Sequence, residues 1–119
     1  MKELSVEIWK ATARPPAATE FKFRDQIRDS SDSAHRNIAE GFGRFNPTEF
    51  VRFLDISRGS ALETKALLKK GLAVGYWTAE EFQRLDKLAD RGLQAVAKFQ
   101  RYLRSPAAKR NAAQRYRKP

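Results

Sequence analysis

The stretch NPTEFVRFLDISRGSALETKALLKKGL, residues 46–72, decides what kind of fold this chain takes. It opens as a helix start. Asn46 can cap, Pro47 suits the first helical position, where a missing N–H costs nothing, and Glu49 falls at the third. Phe50, Phe53, Leu54, Ser57, Ala61, Thr64, Leu67, Leu68 and Leu72 then recur at helical spacing and make one continuous stripe. The helix is expected to end between Gly71 and Gly75. Glycine costs roughly 1 kcal/mol in a helix interior, so Gly59, followed by the small Ser60, is expected to have a packing reason.

The flanking segments read the same way. Downstream, Thr78-Ala79-Glu80-Glu81 has the spacing of a capping box and precedes Phe82, Leu85, Leu88, Ala89, Leu93, Val96, Phe99 and Leu103. That predicts a helix over 79–104, with Glu80 and Glu81 in its first turn and Arg101 and Arg104 in its last, as the helix dipole favours. Pro106 ends or kinks it. Upstream, Ile27, Ser31, Ala34, Ile38 and Phe42 predict a helix over 18–42, with Ser30, Ser31, Ser33 and Ala34 allowing a neighbouring helix to come close. A short helix in LSVEIWKATAR, residues 4–14, places Leu4, Ile8 and Ala11 on one face before Pro15 and Pro16 stop it.

Strand signals are nearly absent, since β-branched residues are sparse and no period-2 run is sustained. The expectation is an all-α, up-and-down four-helix bundle with a shortened first helix, spanning residues 1–105, followed by a basic tail over 106–119. The tail has enough Ala and Arg for another helical turn or two but no apolar face to hold it down. The stripes are rich in Ser, Thr, Ala and Gly, so a monomer buries limited apolar area and self-association is expected.

Composition narrows the function classes. At 119 residues and 41% hydrophobic content the chain suits one domain, and with no cysteine neither a disulfide framework nor a thiolate metal site can form. No 18-residue apolar run occurs and MKELSVEIWK does not resemble a secretory signal, so a cytoplasmic location is expected. The 24 Lys and Arg against 14 Asp and Glu give a net charge of +10, which favours polyanions, nucleic acid ahead of anionic membrane. Residues 1–17 carry +1, 18–44 zero, 45–76 +2, 77–105 +2 and 106–119 +5, so half the excess lies in PAAKRNAAQRYRKP.

NIAEGFGR, residues 37–44, raises the question of a phosphate-binding loop. Such a loop needs a preceding strand and a longer glycine pattern, and Gly41-Phe42-Gly43 has neither. A helix end with a left-handed glycine and a close contact fits better, with Ile38 and Phe42 facing the bundle. Glu40 reads as an ion-pair partner of Arg36 or Arg44, and Glu63 as a carboxylate with the same structural role on the facing helix. No second polarised group accompanies either one, so no catalytic residue, metal site or cofactor is expected. His35 is the only histidine and reads as a polar surface or interface residue rather than a ligand with Asp32 or Glu40.

For nucleic acid, the candidates are Lys109, Arg110, Arg115, Arg117 and Lys118, with Tyr116 able to stack on a base. The same residues also suit a solvated tail with no dedicated ligand. A second group on the third helix, Arg52, Arg58, Lys65, Lys69 and Lys70, is partly offset by acids.

Three stretches carry a family resemblance: QIRDSSDSAHRNIAEGFGR at 26–44, TEFVRFLDISRGSALETKALL at 48–68 and GYWTAEEFQRL at 75–85. In order and content they resemble the bacterial four-helix-bundle proteins encoded by intervening sequences in 23S ribosomal RNA genes, over residues 26–104. Asn37, Glu40, Gly41, Gly43 and Arg44 belong to the family block. Two features depart from the pattern. The segment before Pro15 is short where members have a long first helix, truncated here or replaced by a partner's surface. Ala34-His35-Arg36 stands where many members have a proline, so the second helix is expected to be straighter.

The resemblance implies a homopentameric ring, with relatives that include the accessory protein of diversity-generating retroelements, which binds nucleic acid and a reverse transcriptase. The combined reading is a non-enzymatic scaffold that binds nucleic acid, RNA ahead of DNA, through charge. The competing reading is a protein-interaction module such as a reverse-transcriptase accessory subunit.

Overall fold

A computed structural model of the chain describes residues 1–44 and 46–115, with side chains through Asn111. It is all helical: α1 (Lys2–Thr12), a single 3-10 turn (Ala17–Thr19), α2 (Phe21–Phe42), α3 (Pro47–Ala73), α4 (Ala79–Leu103) and α5 (Pro106–Arg115). The helix starts at residues 47 and 79 form as their sequences dictate. The Asn46 side chain accepts from the Thr48 N–H at 2.8 Å, and Thr78 Oγ1 accepts from the Glu81 N–H at 3.1 Å. Caps of this kind contribute about 1 kcal/mol each.

The hydroxyl-rich stripe of α2 meets its counterpart on α3. Ser30 Oγ lies 2.7 Å from Thr64 Oγ1, Ser33 Oγ lies 2.8 Å from Ser60 Oγ, and Ser57 Oγ donates to the Ala34 carbonyl at 2.6 Å. Small side chains let the two backbones approach, and each buried hydroxyl finds a partner, as burial requires. On the other side of α3, the Trp77 indole donates to the Leu68 carbonyl at 2.9 Å, and Gln100 donates to Asp55 at 2.6 Å.

At 11 residues, α1 is too short to be stable alone and is held by its neighbours. Leu4, Ile8 and Ala11 are buried. Ser5 Oγ and Trp9 Nε1 both donate to Asp32 Oδ1, at 2.5 and 2.9 Å. Arg28 donates to Thr12 Oγ1 at 2.7 Å while its guanidinium stacks 4.1 Å from the centre of the Trp9 ring. Toward α4, Glu7 pairs with Arg84 at 2.7 Å, and Arg14 pairs with Glu81. The Arg84 hydrogen bond holds the Glu7 carboxyl below its ordinary pKa.

The helices α2, α3 and α4 have 22, 27 and 25 residues, so α1 covers only one half of the bundle's fourth position. In that half the core is thick, with Leu4, Ile8, Phe23, Ile27, Leu68, Trp77 and Leu85 packed together. In the other half it thins to Phe50, Leu54, Val96 and Leu103, backed by the partly exposed Ile38 and Phe99.

Several sequence expectations are corrected. The second helix starts at Phe21 rather than Ala18, because Ala17–Thr19 forms the 3-10 turn and Glu20, at φ −91° and ψ 73°, breaks the helical path. Its buried face therefore begins with Phe23, which packs on Tyr76 and Trp77 at ring distances of 4.9 and 5.6 Å. Phe42 faces the bundle as expected, its ring 4.9 Å from that of Phe50 and 5.7 Å from that of Phe99, but it is not buried: it stays 63% exposed. Gly43 is not left-handed but has φ −76°, since the helix closes with tight N–H bonds from Gly43 to Glu40 and from Arg44 to Gly41. The one glycine with positive φ among the described residues is Gly75, at 83°.

The close contact expected in NIAEGFGR falls at Gly41, where a Cβ would stand 2.6 Å from the Phe50 ring. The packing reason expected at Gly59 is not found, since a Cβ there would meet nothing within 4 Å, whereas one on Gly71 would stand 2.2 Å from the Trp77 ring. Beyond Pro106 the chain forms a ten-residue helix rather than a turn or two. Ser105 Oγ accepts from the Ala108 N–H at 3.2 Å, and Ala108 is buried against the bundle end, which gives α5 a foothold that its composition conceals.

Candidate nucleic-acid interface

The periodicity of α4 sorts its side chains. Leu85, Ala89, Gly92, Val96, Gln100 and Leu103 are buried, so the opposite edge carries Lys87, Arg91, Gln94, Lys98 and Arg101, all exposed. These five repeat at intervals of four and three residues and form one ridge about 21 Å long at 1.5 Å per residue. Among the described residues, none of its four cations lies within 4.0 Å of a carboxylate oxygen. Arg91, Gln94, Lys98 and Arg101 border one shallow hollow with Ala95 at its floor.

The ridge continues into α5, where Lys109 and Arg110 are exposed. From Arg91 to Pro119 the sequence holds nine Lys and Arg (Arg91, Lys98, Arg101, Arg104, Lys109, Arg110, Arg115, Arg117, Lys118) and no Asp or Glu. The four acids of α4, Glu80, Glu81, Asp86 and Asp90, all precede this run. The molecule is therefore electrically lopsided along its long axis. The net +2 of residues 77–105 conceals this acid-free run, because the acids early in α4 cancel the cations late in it.

The α3 candidates are not gathered into one site. Arg52, Arg58, Lys69 and Lys70 are exposed, but Arg52 and Lys69 stand about 26 Å apart along the helix at 1.5 Å per residue. Arg52 shares a shallow hollow with Arg44, Glu49, Phe53 and Ile56. Lys65 faces inward to α4, where it pairs with Asp90 and, at 3.6 Å, with Asp86. The Asp90 hydrogen bond raises the Lys65 pKa, so the ammonium stays charged and adds its stability through the neutral range, losing it only as pH climbs through that raised value. Arg115 closes α5, its side chain outside the described set, and Tyr116, Arg117 and Lys118 lie outside the described residues.

The family-block residues hold the α2 end. Asn37 donates to the Ser33 carbonyl at 2.8 Å, and Glu40 pairs with Arg44 at 2.9 Å rather than with Arg36. Glu63 reaches across to Gln26 at 3.5 Å. His35 is half-buried, and no group of three His, Cys, Asp or Glu suited to a metal ion occurs among the described residues. No helix among them is long and apolar enough to cross a membrane.

Fold and surface together define a small helical-bundle protein whose charge is concentrated on one end and one edge. The family model of the 23S rRNA-intervening sequence protein matches residues 1–98, and the chain belongs to that family. The match includes α1, so the short first helix is part of the family region, which begins earlier than residue 26. Neither the curated proteins nor the solved structures include a significant match.

Proposed function

We propose that the protein is a non-enzymatic cytoplasmic scaffold that binds nucleic acid, RNA ahead of DNA, mainly through charge. The observation that supports this most is the unpaired ridge of Lys87, Arg91, Lys98 and Arg101 running toward α5. A row of exposed cations without carboxylate partners is suited to a phosphate backbone, and contacts of that type position a strand without reading its sequence. Arg52 at the same end of the bundle, with the tail cations Lys109, Arg110, Arg115, Arg117 and Lys118, extends the field, and Tyr116 supplies a stacking surface.

Self-association into a homopentameric ring belongs to the same reading. The exposed Val6, Trp9, Phe21, Ile56, Leu62 and Val74 give a chain of this size more wet apolar surface than a monomer needs. A ring would repeat each basic edge five times and add avidity to weak contacts. Sedimentation equilibrium at micromolar concentration is expected to give about five times the 13.6 kDa chain mass; a stable monomer there defeats the ring.

Nucleic-acid binding is tested by titrating purified protein with RNA and with DNA across salt concentrations, with and without glutamine at Lys109, Arg110, Arg115, Arg117 and Lys118. Binding should weaken steeply with salt, and the glutamine variant should have a shallower slope. Binding that ignores salt and the tail, or none at low salt, rules the reading out. The open apolar groove on the α2–α4 side, lined by Ile38, Phe42, Leu54, Ala95, Val96 and Phe99, favours a second reading: a protein-interaction module such as a reverse-transcriptase accessory subunit of a diversity-generating retroelement.

A further inference from the structure

Arg91, Ala95, Lys98 and Tyr102 follow one another at steps of four, three and four residues, so they share one edge of α4. The first three border the cationic hollow, and the fourth is an aromatic ring. Tyr102 is 46% exposed, while Leu103 beside it is buried. The helix end fixes its place: the Tyr102 carbonyl accepts from the N–H and the hydroxyl of Ser105 at 2.9 and 2.6 Å, and Asn111 of α5 donates to the phenol oxygen at 3.4 Å. The Phe99 ring backs it at 6.0 Å. Lys98 and Arg101 lie within a turn of it on α4, Arg104 follows two residues on, and Lys109 and Arg110 precede Asn111 on α5. All five are exposed, and among the described residues none of them lies within 4.0 Å of a carboxylate oxygen. A single exposed aromatic is ordinary on a protein surface, but this one stands inside an acid-free run of cations.

We infer that Tyr102 is a base-stacking residue, so that the ridge takes an unpaired strand of nucleic acid, with one base laid on the Tyr102 ring and the neighbouring phosphates held by Lys98 and Arg101. The inference rests on the proposed function and narrows it from a polyanion to a single strand. Phosphate contacts need only charge, and a duplex supplies more of it than a single strand does. An exposed ring adds something that charge does not, a surface for the flat face of a base. In a duplex those faces are covered by the adjoining base pairs, so only an unpaired strand can use the ring. Every base has such a face, so the contact selects for strandedness and leaves sequence unread. The spacing suits this arrangement. Lys98 precedes Tyr102 by one turn, about 6 Å along the helix at 1.5 Å per residue, so a phosphate held at Lys98 leaves the base of an adjacent nucleotide within reach of the ring. Tethering at Ser105 and Asn111 means that the ring gives up little freedom when a base settles on it.

The test measures affinity of the full chain for a uridine 20-mer, a deoxyuridine 20-mer, an abasic phosphate chain of the same length and an adenosine–uridine duplex. Tyr102→Leu is expected to weaken both unpaired strands about ten-fold, the effect of losing one stacked base, with the salt slope unchanged because no phosphate contact is lost. Tyr102→Phe keeps the ring and should stay within two-fold of the parent on every probe. The abasic chain and the duplex should bind Tyr102→Leu within two-fold of the parent. Ultraviolet irradiation of the unaltered chain with a 5-iodouridine strand should give a crosslink at Tyr102, located by peptide mass spectrometry, and this arm decides the matter if the leucine variant melts early. Unchanged uridine binding by a folded Tyr102→Leu protein, an equal loss on the abasic chain or the duplex, or crosslinks at Tyr116 alone overturns the inference and leaves the phosphate ridge standing. So does a loss confined to one of the two sugars, since stacking ignores the sugar. Failure of the proposed function looks different: the parent binds no strand at low salt or binds equally at every salt, and the stacking role then falls with it.

Discussion

Replacing Gly71 with alanine is expected to lower stability by about 2 to 3 kcal/mol, a fall of roughly 8 to 12 °C in melting temperature for a chain of this size. The new methyl would stand 2.2 Å from Cζ2 and 2.5 Å from Cε2 of Trp77. That indole cannot swing away cheaply, because it is 6% exposed, packs against Phe23 and donates to the Leu68 carbonyl. Overpacking and a strained hydrogen bond outweigh the roughly 1 kcal/mol that alanine gains over glycine as a helix former. Gly59 supplies the control with the opposite sign. It lies inside the same helix with nothing within 4 Å of a new Cβ, so Gly59→Ala should raise stability by about 0.5 to 1 kcal/mol. Thermal unfolding of both variants by circular dichroism checks the pair; a Gly71→Ala protein as stable as the parent would show that Trp77 is not seated as described.

Charge reversal along the α4 ridge should have the largest effect on binding. Each phosphate contact on a single strand contributes about 0.7 to the salt slope, so losing three at Arg91, Lys98 and Arg101 should reduce the slope by about 2. The same relation makes each contact worth about five-fold near 0.1 M salt, and the triple glutamate variant should lose about 100-fold in affinity for a uridine 20-mer. Lys69→Glu with Lys70→Glu, at the far end of α3, should change affinity by less than about three-fold, because general charge is screened over about 10 Å at this salt. Fluorescence anisotropy across a salt series reads both quantities. Equal losses from the two variants would mean that the protein attracts polyanions by net charge and has no defined edge.

Much of this architecture is legible in the residues. Asn46-Pro47 and Thr78-Ala79-Glu80-Glu81 mark helix starts through local bonds that need no tertiary context, and the caps form as written. The Ser and Thr stripe of α2 and α3 announces a close seam, since only small side chains permit it. What escapes is whatever depends on a neighbour distant in sequence or oblique in space. Periodicity places Phe42 on the inner face of α2, yet that face meets no fourth helix at its end, so the ring stays exposed. Gly59 and Gly71 look alike in sequence, and only the chain's return through Gly75 brings the Trp77 ring onto one of them. Lys65 reads as one more surface cation until α4 sets Asp86 and Asp90 opposite it. Of the candidate interface, the basic tail was visible, but the ridge was not, because its cations share a helix with Glu80, Glu81, Asp86 and Asp90, the last two each adjacent to a ridge cation.

The unequal core has a consequence for motion. Where Trp77, Phe23, Ile27 and Leu85 interlock, backbone amides are expected to exchange with solvent only when the whole molecule unfolds. Where the core thins to Leu54, Val96 and Leu103, few buried contacts resist a local opening, so breathing is expected to begin at the end that also carries the positive charge. On the proposed function, a polyanion would meet the more compliant half of the protein, where the ridge and α5 could adjust to its backbone while the rigid half stays folded.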